Sequence, residues 1–229
     1  MSEARFDAVL FDAGGVLVLP DPTVLAPLLA PYGGSIEIED HRQAHYAGMA
    51  AKSRVGSTEK HWGSYNAAYV AALGVVSEYF DHAVEALEVT RSAHLWRWPI
   101  PDTLVALAAL AEAGVPMGVV SNASGQIEAE LRRGRICQVG TGGGVEVRCV
   151  IDSDVVGVSK PDPRIFEFAL VHFSEFERSR VAYIGDSVTM DIGGASAAGL
   201  HPILVDPFDD HPEATFERIR SVGEIIPLF

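Results

Sequence analysis

After a first short apolar strand the chain carries a long block in which no strand can be found, and only beyond it does an alternation of helix and strand begin. That interruption narrows the fold more than any other feature. Residues 6–11 are a short apolar run passing straight into Asp12-Ala13-Gly14-Gly15, a strand followed by an acidic, glycine-containing turn. From residue 22 to residue 94 the periodicity is helical. Helices are expected near 23–31, 37–52, 57–73 and 79–95, parted by breaks such as Tyr32-Gly33-Gly34. Past Trp98-Pro99, helices are expected over 101–113, 125–133, 163–173, 189–198 and near 213–220. Strands are expected over 115–120, 147–151, 180–184 and 202–205. Strands separated by helices imply a parallel sheet with right-handed crossovers. The expected fold class is α/β, a doubly wound parallel sheet with a small all-helical cap. Residues 1–18 and 99–229 would form the core, and 19–98 the insertion after the first strand.

Composition excludes several function classes. A formal net charge of −14 opposes nucleic acid and anionic membranes, which would both be repelled. It does not oppose a small phosphorylated substrate, because a cation and a few local donors can reverse the potential inside one pocket. No stretch approaches the ~18 consecutive apolar residues of a membrane span. The segment MSEARFDAVLFDAGG has no basic region leading into an apolar run, so the expected location is cytoplasmic. Cys137 and Cys149 lack CxxC spacing and read as free thiols. No histidine pair has transition-metal spacing, so no zinc is expected. Thr141-Gly142-Gly143-Gly144 reads as a flexible surface connection. It misses the dinucleotide-binding fingerprint because Val145 stands where a third glycine is needed. No phosphate-binding GxxxxGK[ST] loop and no GxSxG elbow is present.

In a doubly wound sheet, ligands bind outside the carboxyl ends of the strands. The polar residues collect there: Asp12 after the first strand, Ser121-Asn122 after the second, and Gly185-Asp186-Ser187 after the strand at 180–184. Lys160 opens the segment before another core helix, in Ser-Lys-Pro-Asp-Pro. Singly, each has a plainer explanation. Ser121 and Asn122 are good helix caps, Lys160 suits a solvated loop, and Asp186 and Asp191 suit a helix start. Jointly these explanations are poor, since the groups converge on one edge.

The segments FDAGGVL (11–17), VVSNAS (119–124), VSKPDPRIF (158–166) and YIGDSVTMD (183–191) resemble the four ordered motifs of the haloacid dehalogenase-like hydrolases. The helical block sits where that family inserts a cap, and the resemblance covers nearly the whole chain. It implies a hydrolase in which Asp12 attacks the phosphorus of a small phosphorylated substrate and becomes an aspartyl-phosphate. It further implies Mg²⁺ held by Asp12, the Gly14 carbonyl and Asp186, with Asp191 orienting a coordinated water. Ser121 and the Asn122 backbone would hold phosphoryl oxygens, and Lys160 would offset negative charge.

One position departs from the family pattern. Most of its phosphatases carry a second acid two residues after the nucleophile, a general acid/base whose loss costs a factor of about 10²–10⁴, whereas here that residue is Gly14, as in some phosphatase branches that read similarly to FDxGG. Three readings follow: a phosphatase for esters with good leaving groups, a 2-haloacid dehalogenase, or a phosphate-binding module with negligible turnover. Metal-free dehalogenases of the family usually lack the acid that Asp186 supplies. Phosphonate cleavage would need a Schiff-base lysine from the insertion, where Lys52 and Lys60 are the only lysines. A receiver-type signalling domain also joins an acceptor aspartate to a Lys-Pro pair, but the insertion and Gly14 argue against it. Asp21, His45, Arg54, His61, Trp62 and Tyr65 are candidates for substrate contact, each with packing as the plainer reading. Asp21 is also a candidate to stand in for the missing acid. Neither the substrate's identity nor the oligomeric state is written in the sequence.

Overall fold

The strand that opens the chain becomes the middle of a sheet. In the computed structural model, which describes residues 4–57 and 61–229, the strands are β1 (Ala8–Phe11), β2 (Val18–Pro20), β3 (Trp96–Pro99), β4 (Met117–Ser121) and β5 (Cys137–Val139). They continue with β6 (Val145–Val147), β7 (Val150–Asp152), β8 (Val181–Gly185), β9 (His201–Val205) and β10 (Glu217–Ile219). Six of them form one parallel sheet in the order β10-β9-β8-β1-β4-β7. Every residue of β1, β4 and β8 is buried, the behaviour of parallel strands covered on both faces.

The strand period of two divides the core. Val9 and Phe11 pack with Val119, Ile184, Leu107 and Ile127 on one face, beneath α5 (Pro101–Glu112) and α6 (Ile127–Arg133). Ala8 and Leu10 pack with Val120, Tyr183 and Phe166 on the other, beneath α8 (Arg164–Leu170). The short helix α7 (Ser153–Val156) follows β7, and α9 (Gly193–Ala197) precedes β9. Because the chain leaves β1 toward β4 on one side while β8 flanks it on the other, the order switches at β1, and the crevice opens beyond its carboxyl end.

The helical insertion is α1 (Pro22–Leu29), α2 (Ile38–Arg54), α3 (Gly63–Ala72) and α4 (Phe80–Thr90). Its outgoing and returning segments are stitched together as the antiparallel pair β2–β3, with Leu19 opposite Trp98. Leu25, Leu29, Met49, Tyr65, Tyr69 and Leu87 form an apolar cluster of its own, into which Met190 of the core intrudes.

Three expectations need correcting. Residues 217–219 form strand β10 rather than part of a helix, because Ile219 buries itself by pairing beside β9. The helical signal starts later, where Ser221 and Glu224 form a capping box on a 3₁₀ segment, Val222–Leu228. The helix expected over 189–198 is split, a π-type turn at Val188–Ile192 preceding α9. The glycine-rich run connects β5 to β6 but is tied down by the Gln138 side chain, whose Nε2 donates to the carbonyl of Gly144 at 3.0 Å while its Oε1 accepts from Gly144 N at 2.9 Å. Cys137 and Cys149 are free and buried. Among the described residues no helix is long and apolar enough to cross a membrane.

Candidate active site

Three strand ends of the central sheet deliver polar groups to one place: Asp12 from β1, Ser121 and Asn122 from β4, and Asp186 from β8. Asp12 leaves β1 with its Oδ1 accepting from Ala13 N at 2.7 Å and from Lys160 Nζ at 2.8 Å. Lys160 arrives from another segment and is held by backbone bonds to the Asn122 side chain, 2.8 Å from Lys160 N and 3.1 Å from its carbonyl. Its ammonium also donates to Asp191 Oδ1 at 2.7 Å and Tyr183 Oη at 2.9 Å. Asp191 accepts on its other oxygen from the backbone N–H groups of Asp186 and Ser187, at 3.1 and 2.9 Å. With Tyr183 Oη also donating to Oδ1, both oxygens of Asp191 are taken. That residue anchors Lys160 and the turn carrying Asp186.

One carboxylate oxygen on each of Asp12, Asp186 and Asp191 lies within 4.8 Å of the others. Burial pushes the Asp12 carboxyl up to about 7, with Lys160 opposing the rise and Asp191 and Asp186 adding to it. Burial, then Asp191, pushes Asp186 well above the ordinary range. Burial works against the Lys160 ammonium, but Asp12 and Asp191 outweigh it and keep it charged. Three clustered carboxylates thus meet one bonded ammonium. None of the described bonds takes Asp12 Oδ2 or Asp186 Oδ1, and both residues line a cavity of about 280 Å³ together with Gly14. A hard divalent cation fits this donor set, which offers carboxylate oxygens and gathers three acids around the single ammonium of Lys160.

The insertion and its return strand close the other side. His45 on α2 places Nε2 2.9 Å from Asp186 Oδ2, and its Nδ1 lies 3.0 Å from Tyr65 Oη. Tyr46 donates to the Gly15 carbonyl at 2.7 Å, and Ser53 Oγ accepts from Val188 N at 3.2 Å. The paired glycines of the first motif each make room for one of these visitors. A Cβ on Gly14 would lie 3.0 Å from the ring of Trp96 on β3, and one on Gly15 would lie 2.7 Å from His45 Nε2 and 1.9 Å from its partner Asp186 Oδ2.

The sequence matches the family profile of haloacid dehalogenase-like hydrolases over residues 6–199. The chain belongs to that family. Among its curated relatives it is 31% identical over 135 residues to phosphoserine phosphatase of Thermus thermophilus, covering 56% of this chain and 51% of that one. It is 27% identical over 133 residues to (S)-2-haloacid dehalogenase 1 of a Pseudomonas species, covering 56% and 55%. The chain thus spans about half the length of the curated relatives it matches. A crystal structure of a HAD phosphatase from Thermococcus onnurineus superposes with a TM-score of 0.59 at 23% identity, over 97% of both chains, which shows the shared fold.

Of the residues singled out in the sequence of this haloacid dehalogenase-like hydrolase, Asp12, Gly14, Ser121, Asn122, Lys160 and Asp186 line one cavity. Asp191 lies behind them, fully buried. The insertion candidates scatter. Trp62 lines the cavity, while His61 is exposed and Arg54 reaches the Asp210 carbonyl at 3.3 Å. Tyr65 stands behind His45. Asp21 is not at the site: it caps α1 through Thr23 N at 2.9 Å and bonds Arg97 at 2.8 Å, so it cannot stand in for a missing acid. The Lys52 ammonium is buried 3.5 Å from the Trp62 ring centroid, and Lys60 lies outside the described residues. Sequence reasoning missed Trp96, Arg91, Met49 and Met190 on the cavity wall, and Tyr183 beneath it. Trp96 had one available signal, its place at the return from the helical block; the others had none.

Proposed function

We propose that this hydrolase is a Mg²⁺-dependent phosphatase acting on a small phosphorylated metabolite, with Asp12 as nucleophile and the helical insertion as a cap. The observation that carries the reading is the state of Asp12. Its Oδ1 is held by Ala13 N and Lys160 Nζ, and the carboxylate stands beside Asp186 in a shared cavity. A carboxylate oxygen of Asp12 attacks phosphorus in line, the ester oxygen leaves with the bonding electrons, and an aspartyl-phosphate forms. Water then attacks the same phosphorus, the bond to Asp12 breaks, and inorganic phosphate departs. Lys160 offsets the charge of nucleophile and transferring group, while Ser121 and the Asn122 backbone N–H hold phosphoryl oxygens. Asp12, the Gly14 carbonyl and Asp186 would hold a Mg²⁺ ion, whose charge would let an anionic nucleophile approach an anionic substrate.

With glycine at position 14, no second acid protonates the leaving group from that side. The reading therefore favours esters whose leaving group departs unprotonated, such as an anomeric or aryl phosphate. The same feature favours a second reading, dehalogenation, because halide needs no proton; similarity to a haloacid dehalogenase supports it.

A phosphate-release screen over a metabolite panel, with and without Mg²⁺, decides between them. Release that requires Mg²⁺ and vanishes in Asp12→Asn is the expected result. Chloride release from a 2-haloacid without phosphate release would establish the second reading, and silence throughout would favour a phosphate-binding module.

A further inference from the structure

His45 comes from the insertion yet touches the acidic cluster, and nothing in the reaction above uses it. It is fully buried, and the ring is fixed on every side. Tyr46 and Trp96 pack edge-on, with ring centroids 5.1 and 5.5 Å away. Gly15 stands where any Cβ would come within 2.7 Å of Nε2. With a cation on its other oxygen Asp186 can only accept, so the hydrogen facing it belongs on Nε2, 2.9 Å from Oδ2, while Nδ1 meets the Tyr65 hydroxyl at 3.0 Å. Tyr46 and Ser53, on the same helix, pin α2 to the loops that follow β1 and β8.

We propose that His45 is a positioning residue, through which the helical insertion orients Asp186 toward the divalent cation. A carboxylate bound on one oxygen by a fixed donor has its other oxygen aimed; one without that donor must be ordered when the cation arrives. Cation affinity is then set partly from outside the α/β core. The inference rests on the cation reading above.

The test measures Mn²⁺ binding to the whole chain by the electron paramagnetic resonance of the free ion, with Mg²⁺ as competitor. His45→Phe keeps the ring volume and removes the donor; its dissociation constant is expected to rise about 10–100-fold, the usual cost of losing an outer-shell partner. His45→Gln restores an N–H donor and is expected to recover most of the loss. Tyr65→Phe, which frees the far side of the ring, is expected to weaken binding several-fold, and it carries the test if His45→Phe fails to fold. If the parent binds Mn²⁺ and these variants bind it equally well, the role of His45 is refuted while the cation site stands. A glutamine variant as weak as the phenylalanine one reduces His45 to packing and also overturns the proposal. A parent that binds no Mn²⁺ removes both the site and the inference.

Discussion

A Cβ on Gly14 would lie 3.0 Å from Cζ3 and 3.1 Å from Cε3 of Trp96, so the indole occupies the space where a side chain at position 14 would begin. The missing acid is therefore not a simple vacancy. Gly14→Asp alone is expected to cost stability, on the order of 1–3 kcal/mol from overpacking, without speeding hydrolysis of alkyl phosphates. Gly14→Asp combined with Trp96→Ala makes room, and kcat/KM for an alkyl phosphate is expected to rise above that of Gly14→Asp. The four members of this cycle, assayed on one alkyl and one aryl phosphate, decide the matter. A single Gly14→Asp variant that speeds the alkyl ester would show that Trp96 is no obstacle.

Gly15 is constrained twice. Its φ of +67° is a conformation that costs other residues about 1–2 kcal/mol. A Cβ there would also displace the Asp186 carboxylate, only 1.9 Å away. Gly15→Ala is thus expected to lower the unfolding free energy and, in the fraction that folds, to weaken Mn²⁺ binding. Unchanged affinity in a folded variant would mean that Asp186 can shift at no cost.

Asp21 lies close in sequence to the first motif, but its side chain serves the start of α1 and Arg97. Asp21→Ala is expected to cost about 1 kcal/mol as a lost N-cap and to leave kcat near the parent value. Urea unfolding and steady-state kinetics separate the two effects. A hundredfold drop in kcat with stability intact would return Asp21 to the chemistry.

What was legible in the sequence follows from what strand periodicity reports. Asp12, Ser121 and Asp186 each sit at the end of an apolar run, and parallel strands with crossovers leave those ends on one edge. Lys160 followed from resemblance to a motif, whereas its bonds to Asp12, Asp191 and Tyr183 needed coordinates. His45 and Trp96 could not be placed, because their positions depend on how the insertion docks. His45 and Asp186 are 141 residues apart, and the sequence offers His45 only as one of several candidates on the insertion. The edge strand β10 is not legible in the sequence, because three residues are too few to show a period and pairing with β9 decides their conformation.

The charge balance around Lys160 gives the sharpest test of the core of the site. Its side chain is 1% exposed, with Asp12 Oδ1 at 2.8 Å and Asp191 Oδ1 at 2.7 Å. Lys160→Met keeps the length and removes the charge, leaving two buried carboxylates without their cation, a loss of about 3–5 kcal/mol for a broken buried pair. The loss is expected to depend on pH. In the parent, burial already holds Asp12 near 7 against the pull of Lys160, so without the lysine its pKa rises further. An acid whose folded pKa lies above its unfolded value takes up its proton first in the folded state. Its contribution to stability is full below the ordinary aspartate range and is lost as pH rises through the folded pKa. Lys160→Met moves that loss upward and deepens it, so its deficit against the parent is expected to be larger near about pH 8 than near about pH 5.5. Urea unfolding of both proteins in EDTA at the two pH values measures this, and adding Asp12→Asn to the variant is expected to remove much of the difference. Equal deficits at both pH values would mean that Lys160 acts through packing, and that the Asp12 carboxylate has its charge stabilised by some other group.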